Sequence, residues 1–380
     1  MINRSRAQIG NTQARVQVVV DQLVGSGVEA GLQVAAYLDR DLIVDAWAGV
    51  ADAATGRKVG GETLFGVFSC GKGVLATAIH ILADRGKLEY DTPVTRYWPE
   101  FAANGKDRIT VRNVMSHMAG IPALPEGSTV EDLLDWDRMC GRIAELTPIW
   151  EPGTRTGYHA RTYGYVLGEV VRRVDGRRIN RFIREEISQP LGIDSMYFGI
   201  PDEVIPRVAN LESGPPLASA PAPEPIAALV FPPNLPATPE VFNRSDVRRA
   251  CIPSSNGIMN ARALARHYAA LACAGELDGV RLMSAERIGI ATMLQTEDRD
   301  LVIGRSIRKG LGYFLGGDPL SATGARHSAF GHAGSGGSIG FADPDHRFAL
   351  ALLKTRLVTA EPGEDAAYLV AREARAALGL

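Results

Sequence analysis

The spacing of apolar residues along the chain separates predicted helices from predicted strands. Apolar positions recur with a helical period over residues 7–24, and the stretch LQVAAYLDRDLIVDAWAGVAD is typical of two strands joined by a turn at 39–41. After Ser69 the period changes to 3.6 residues, and Gly86 marks the end of that helix. The chain therefore begins with a helix, a hairpin and a second helix. Further helices are predicted at residues 110–118, 130–145, 160–174, 179–189, 261–273, 284–295 and 364–378.

Strand patterns return near the C-terminal end, in GLGYFLGG, HSAFGHAG, SIGFADP and RFALALLKT, with a hairpin turn at 343–345. This order predicts an α+β fold, in which both chain ends form one antiparallel sheet, terminal helices flank it and a helical region is inserted. Residues 1–66 and 300–380 are expected to form the sheet domain. Residues 67–299 are expected to form a mainly helical domain, with the active site between the two. A doubly wound parallel sheet does not fit, because the middle of the chain lacks alternating strands.

One segment breaks the helical pattern. Residues 215–239 contain nine prolines among Ala, Ser and Leu. Proline is unsuited to a helix interior and to a central strand, because it lacks the backbone N–H and its ring fixes φ. The composition predicts a long ordered loop or lid, without indicating what it covers.

Composition and charge narrow the function classes. The 380 residues are 46% hydrophobic and 22% charged, which provides for a sizeable core, and the net charge is −2. The chain has no basic excess to neutralise phosphates, which argues against nucleic acid and against an anionic membrane as the partner. A small-molecule substrate is expected instead.

The cysteines and histidines give no metal signal. The four cysteines lack a C-x-x-C or zinc-like spacing, and no H-E-x-x-H pair occurs among the seven histidines, so neither a metal nor a cofactor is expected. Unpaired thiols are typical of a reducing compartment. The N-terminus has no apolar signal-peptide core, and no later run is long enough to span a bilayer. These features predict a cytoplasmic protein.

Two serines compete for the role of nucleophile. Ser338 lies in Gly336-Gly337-Ser338-Ile339-Gly340, which matches the G-x-S-x-G pattern of a nucleophile elbow. That elbow needs a helix after the serine and an acid and a histidine further on, whereas a hairpin is predicted here and His346 lies at its tip. The match is therefore interpreted as a coincidence in a glycine-rich turn.

The second candidate is Ser69, in a Ser-x-x-Lys spacing with Lys72 at the first turn of a predicted helix. Residues three apart share a helix face at about 5–6 Å between Cβ atoms, so the amine can reach the hydroxyl. The helix N-terminus also favours negative charge developing on the serine or on a substrate oxygen. Lys72 can act as a base only if burial or a nearby cation lowers its pKa. The same spacing is equally typical of an N-capping serine with a surface lysine.

Two later segments complete the candidate site. Tyr158 follows a Pro-Gly turn and precedes a helix, a position from which its hydroxyl can relay a proton; a tyrosine that merely packs its ring is the alternative. His332-Ala333-Gly334 ends a late strand, where small residues let a substrate approach the backbone and an N–H can complete an oxyanion hole with that of Ser69. A tight turn with an exposed imidazole is the alternative there. His159, which borders the site, is included among the candidate substrate contacts.

The order of these motifs resembles the serine β-lactamase and penicillin-binding-protein superfamily, in particular class C β-lactamases and family VIII carboxylesterases. DRGKLEYDTPVTRYWPEF, ITVRNVMSHMAGIP, PLGIDSMYFG and SSNGIMNARALARHYAAL are similar to recurrent segments of that superfamily, so the resemblance extends from about residue 30 to 375. It implies that Ser69 is acylated, with Lys72 as its base partner and Tyr158 as second base and acid. The oxyanion hole would be the backbone N–H groups of Ser69 and Ser335.

Two departures from the family's motifs bear on the substrate. The tyrosine motif is often Tyr-x-Asn, but Ala160 stands in place of the amide, and the Lys-Thr-Gly of true β-lactamases is His332-Ala333-Gly334 here. A largely neutral imidazole is a poor partner for the carboxylate of a lactam. The sequence therefore favours a serine hydrolase that cleaves small uncharged carboxylic esters. An acyltransferase is the alternative on the same scaffold, followed by a β-lactamase or D-amino-acid peptidase and by a non-catalytic binding protein.

Overall fold

The computed structural model describes residues 6–215, 224–358 and 360–380. Helices of seven residues or more are Arg6–Gly25, Gly71–Asp84, Trp136–Ala144, Thr162–Asp175, Ala261–Ala272, Ala285–Ala291 and Ala366–Leu378. Shorter α-helices are Val111–Met115, Val130–Leu134, Ile179–Ile183, Pro225–Val230, Pro239–Phe242 and Ser245–Arg249. Short 3₁₀ turns lie at Val94–Arg96, Pro99–Gly105, Asp202–Arg207 and Pro344–His346, and a π-turn at Arg184–Ser188.

Both ends of the chain build the main sheet. Its seven strands are antiparallel throughout, and the strand Phe348–Lys354 lies between Ile339–Asp343 and Gly31–Leu38. The spatial order is 314–315, Phe330–Ala333, Ile339–Asp343, Phe348–Lys354, Gly31–Leu38, Asp41–Asp52 and 57–58. The predicted α+β fold, with one sheet formed by both ends, is confirmed.

Helices cover both faces of this sheet. Along the strand Phe348–Lys354, successive side chains point alternately to the two faces and are buried on both. Leu350 and Leu352 belong to a cluster with the terminal helices Arg6–Gly25 and Ala366–Leu378. Ala351 and Leu353 point to the opposite face, into the larger core. Since neighbouring side chains on a strand point to opposite faces, a strand buried on both sides is apolar at nearly every position.

Several predicted elements are shorter or interrupted. The helix expected at 130–145 is two helices, because Asp135 has an extended backbone and its side chain caps the second one at the N–H of Arg138. The helix expected at 284–295 spans Ala285–Ala291. A three-stranded sheet was not predicted at all; it comprises Phe65–Phe68, Gly257–Met259 and Met196–Phe198.

The proline-rich segment is also more regular than its composition predicts. A short helix, Pro225–Val230, begins with proline at its first turn, where the missing N–H costs nothing. A second begins at Pro239 in the same way. The described part of the predicted loop or lid thus contains a six-residue helix, while residues 216–223 lie outside the described residues.

Candidate active site

Ser69 lies at the junction of a strand and a helix. Phe65–Phe68 leads into it, Gly71–Asp84 follows, and Phe68 has a left-handed backbone with φ 47°. Such a conformation is strained for a bulky residue, and backbone strain of this kind concentrates at functional sites. Ser69 itself is half-buried. The turn thus presents the serine at the N-terminal end of a buried helix.

Lys72 is brought to Ser69 as the spacing predicts. Its Nζ lies 2.9 Å from the Oγ of Ser69 and donates a hydrogen bond to the carbonyl oxygen of Ser254 at 3.0 Å. The lysine is fully buried. Burial, with a smaller contribution from the positive charge of Arg161, holds the pKa of Lys72 well below its ordinary value, while Cys70 opposes the shift. A lowered pKa favours the neutral amine, which is the form that can accept the proton of Ser69.

Tyr158 lies beside Lys72. Its ring centroid is 4.8 Å from Nζ of Lys72, and its side chain is almost entirely buried. Burial raises the pKa of Tyr158, whereas a side-chain hydrogen bond with Ser69 acts in the opposite direction. The phenol is therefore protonated at neutral pH and can donate or relay a proton between Ser69 and a leaving group.

A buried ion pair fixes the turn that carries Tyr158. Asp300 accepts the backbone N–H of Tyr158 at 3.1 Å, and its other oxygen pairs with Nζ of Lys309 at 2.6 Å. The same Nζ donates to Thr156 at 2.6 Å, and both charged side chains are at most 1% exposed. Tyr158 is thus held by groups about 150 residues further along the chain.

His159 has both ring nitrogens engaged with backbone. Its Nδ1 lies 2.7 Å from the carbonyl oxygen of Gly157, and Nε2 accepts the N–H of Ile121 at 3.1 Å. Its own N–H donates to Nδ1 of His117 at 3.1 Å. The ring is 1% exposed, and burial lowers its pKa to about 4. This geometry favours a role in holding the Tyr158 turn over the substrate contact that the sequence suggested.

The strand Phe330–Ala333 brings the segment His332-Ala333-Gly334 close to the turn that carries Ser69. Gly334 packs so closely against the turn before Ser69 that a Cβ would clash with the carbonyl oxygen of Val67. Its N–H donates to the carbonyl of Ser338 at 2.7 Å, and Ser335 is exposed at the tip of the resulting turn. Ala333 is exposed. The end of this strand therefore lies open beside the nucleophile turn.

His332 presents a neutral imidazole to the site. Its Nδ1 lies 2.7 Å from the carbonyl oxygen of Ala333, and its buried Nε2 has no hydrogen-bond partner. Burial, with a smaller contribution from the charge of Lys72, lowers its pKa to about 3. The ring stacks on Phe314 at 4.5 Å and lines a cleft of about 540 Å³. Nε2 is thus available as an acceptor for a hydrogen-bond donor on a ligand.

Ser338 does not have the surroundings of a nucleophile. It is 2% exposed, a strand rather than a helix follows it, and its Oγ accepts the backbone N–H of Lys354 at 3.3 Å. Gly336 and Gly337, which precede it, have φ values of 82° and 101° that suit glycine. The G-x-S-x-G match therefore corresponds to the glycine-rich turn that follows Ser335 and leads into the strand Ile339–Asp343.

An apolar cover packs against Tyr158. Ala227 and Val230 of the helix Pro225–Val230 cluster with Tyr158, Ala160 and Val302. Where the family often has an asparagine, Ala160 thus contributes a methyl group to an apolar contact. Behind this cover, Nη2 of Arg161 donates to the carbonyl oxygen of Leu235 at 2.6 Å.

The described residues contain no group of three or more His, Cys, Asp or Glu side chains that could hold a metal ion. Over the same residues, no helix is both long enough and apolar enough to cross a membrane.

The fold and its relatives define a serine hydrolase of the beta-lactamase fold, with esterase-like neighbours. The family described as Beta-lactamase matches residues 16–375, and the chain belongs to this family. The family resemblance inferred from the sequence motifs is thereby confirmed.

Individual relatives agree with this assignment. The esterase/beta-lactamase LipL of Mycobacterium tuberculosis is 37% identical over 353 residues, which cover 87% of this chain and 78% of that protein. The structure of a family VIII carboxylesterase matches with a TM-score of 0.89 and 33% identity, covering 96% of this chain and 97% of the other. A penicillin-binding-protein homologue from Caulobacter crescentus matches with a TM-score of 0.88 and 36% identity over the same shares.

Proposed function

We propose that the protein cleaves carboxylic esters through an acyl-enzyme on Ser69. The observation that carries the proposal is the buried Nζ of Lys72, 2.9 Å from the Oγ of Ser69. Oγ forms a bond to the ester carbonyl carbon as its proton passes to Lys72, and the C–O bond to the alcohol then breaks while Tyr158 relays a proton to the leaving oxygen. Water repeats the sequence and releases the acid. The N–H groups of Ser69 and Ser335 would hold the oxyanion.

The surroundings of the site favour a small ester with an uncharged, apolar acyl group. Ala227, Val230 and Val302 form an apolar cover beside Tyr158, and Phe314 stacks on His332. The imidazole of His332 is neutral, so it offers an acceptor rather than a cation to a substrate carboxylate. We therefore expect short p-nitrophenyl esters to be turned over much faster than nitrocefin, whose β-lactam carries a carboxylate.

The decisive experiment compares the two candidate serines. Ser69→Ala should lower kcat for p-nitrophenyl butyrate by at least about 10³-fold, because the variant lacks the hydroxyl that is hydrogen-bonded to Lys72. Ser338→Ala removes only the 3.3 Å bond to the N–H of Lys354 and should change kcat by less than about tenfold. Loss of turnover in Ser338→Ala with turnover kept in Ser69→Ala would refute the assignment.

We also propose that the protein works in the cytoplasm on a small molecule, with neither nucleic acid nor a membrane as its partner. All four cysteines are unpaired thiols, and Cys70 and Cys140 are buried, which suits a reducing compartment. The net charge of −2 gives no excess of cations for a polyanion. Fractionation of cells that express the full chain at its natural level tests the location.

A further inference from the structure

The turn that carries Ser335 is built largely from glycine. The N–H of Gly337 donates to the carbonyl oxygen of Gly334 at 3.1 Å and closes the turn, with Ser335 and Gly336 at its centre. Gly336 and Gly337 have φ values of 82° and 101°, a conformation that glycine adopts readily. Because glycine has the greatest conformational freedom of all residues, these peptides alone do not fix the direction of the Ser335 N–H. That direction depends on the groups against which the turn packs.

The side chain of Lys354 lies against this turn. A Cβ added to Gly337 would be 3.5 Å from Nζ of Lys354 and 3.6 Å from its Cδ. The hydroxyl of Ser338 accepts the backbone N–H of Lys354 at 3.3 Å, which joins the end of the turn to the same residue. Gly336 packs against Leu357, where a Cβ would clash. The two glycines are therefore supported by Lys354 and Leu357.

A buried ion pair holds the side chain of Lys354 in this position. Its Nζ contacts Oε1 of Glu29, and the two side chains are 4% and 2% exposed. Glu29 lies just before the strand Gly31–Leu38, in which Leu32 is paired with Lys354. Burying two charges costs desolvation free energy, and apolar side chains of similar volume often give equal stability, so stability alone does not explain the pair. The pair does restrict the lysine to one position against Gly337.

We propose that Glu29 and Lys354 are positioning residues, which fix the turn and thereby hold the N–H of Ser335 in the oxyanion hole. Gly334, at the start of the turn, packs closely against the segment that carries Ser69, so a displaced turn would change the geometry at the nucleophile. In this role neither Glu29 nor Lys354 touches a reacting atom. The inference rests on the proposed function in one respect, namely that the N–H of Ser335 binds the oxyanion.

The test measures how fast Ser69 reacts in the full chain. An alkyl fluorophosphonate labels an activated serine: a P–O bond forms, the P–F bond breaks to release fluoride, and the serine proton passes to the base. Negative charge develops on the phosphoryl oxygen, so an intact oxyanion hole accelerates the labelling. The final extent of labelling reports the folded fraction, and the rate constant reports the reactivity of each folded site.

Breaking the ion pair should slow the labelling. Lys354→Met removes the amine beside Gly337, and Glu29→Gln removes the charge that holds it. The rate constant should fall by about tenfold or more in each variant, since loss of a whole oxyanion donor typically costs about 10²–10³-fold. For p-nitrophenyl butyrate, kcat should fall similarly while KM changes by less than about threefold, because the N–H acts on charge that develops in the transition state.

Two comparisons separate positioning from stability. Glu169→Gln alters another buried carboxylate, whose ion partners Arg172 and Arg173 lie outside the candidate site, and should change the rate constant by less than about twofold. The double variant Glu29→Leu with Lys354→Met removes both charges and should recover most of the stability that the single variants lose. Its rate constant should stay as low as theirs, because no ion pair fixes the side chain at 354. This variant also decides the question if a single variant does not fold.

The inference is overturned if the folded single variants are labelled at the wild-type rate, or if the rate in the double variant recovers together with its stability. It is equally overturned if Glu169→Gln slows labelling as much as Glu29→Gln does. Wild-type protein that is labelled at Ser69 but hydrolyses no ester would contradict the proposed function, and the labelling rates would still decide whether the ion pair positions the turn. Absence of labelling at Ser69 would contradict both.

Discussion

Burial sets the protonation state of each residue around Ser69. The pKa of Lys72 is held well below its ordinary value by burial and by Arg161, and burial and the charge of Lys72 lower that of His332 to about 3. Burial moves the pKa of Tyr158 upward. At neutral pH the site therefore has a neutral imidazole and a protonated phenol beside an amine whose pKa is lowered. Such a site disfavours a charged group near the reacting carbonyl, which fits an uncharged ester.

His332 should contribute a hydrogen bond to catalysis, and its protonation should not shape the pH dependence of the rate. Because its pKa is about 3, the imidazole is neutral over the working range of pH. His332→Leu should lower kcat/KM by about three- to tenfold through the loss of one acceptor, and the acid limb of the pH profile should stay where it is in the wild type. Steady-state rates measured between about pH 5 and about pH 9 test this. A wild-type limb near pH 6.5 that vanishes in the variant would contradict it.

Some residues of the site are readable from the sequence, and others are not. Ser69 and Lys72 meet because a helix brings residues three apart to one face, so their spacing alone predicts that their side chains lie close together. Arg161 and Ser254 gave no such signal in the sequence. Arg161 is bonded to the carbonyl oxygen of Leu235, and the carbonyl oxygen of Ser254 accepts a hydrogen bond from Lys72, and both pairs are distant in sequence. Only the folded chain shows that Arg161 is buried without an anion.

At the scale of elements, the Asp300–Lys309 pair shows how a loop is made into a rigid support. Asp300 accepts the N–H groups of Tyr158, Val302 and Ile303 while it pairs with Lys309. Burial alone would raise the pKa of Asp300, but Lys309 and these N–H donors outweigh it and the pKa is lowered. The carboxylate therefore stays ionised, and its charge joins the Tyr158 turn to the segment 300–309.

Asp300→Asn should destabilise the protein strongly. The amide oxygen can still accept the same N–H groups, so the variant mainly leaves Lys309 buried without a counter-ion. We expect a loss of about 3–5 kcal/mol in the free energy of unfolding, measured by urea titration. The control is Asp300→Asn combined with Lys309→Met, which removes both charges and should recover most of the loss. A single variant within about 1 kcal/mol of the wild type would show that the pair contributes little.

The elements that the sequence predicted well are those with a long, regular period. The helix Ala261–Ala272 and the paired strand Phe348–Lys354 each contain enough residues for their apolar repeat to be unambiguous. Asp135 was overlooked as a helix start because the apolar period continues across it. The strands Gly257–Met259 and Met196–Phe198 are only three residues long and exist through pairing with distant chain. The local sequence pattern of so short a strand does not predict its pairing with a distant segment.

At the scale of the whole molecule, five of the seven histidines are buried within the described chain. Burial lowers the pKa of His80, His267 and His332 to about 3 and that of His159 to about 4, and it places that of His117 well below its ordinary value. His117, His159 and His332 lie at the candidate site, whereas His80 contacts Leu311 and His267 contacts Thr77, so the five histidines together report on more of the fold than the site alone. In the unfolded chain each would return to a pKa of about 6.5.

These histidines predict a steep loss of stability in mild acid. Between about pH 6.5 and about pH 4 the unfolded chain binds protons that the folded chain does not, so stability is present above pH 6.5 and is lost as the pH falls. Each histidine contributes about 1.4 kcal/mol per pH unit well below pH 6.5, and unfolding at pH 5.5 should take up about four to five protons. The pH dependence of the free energy of unfolding measures that number. In His267→Gln, where the partner is Thr77, the uptake should be smaller by about one proton. Uptake of fewer than about two protons by the wild type would mean that most of these imidazoles are charged in the folded protein.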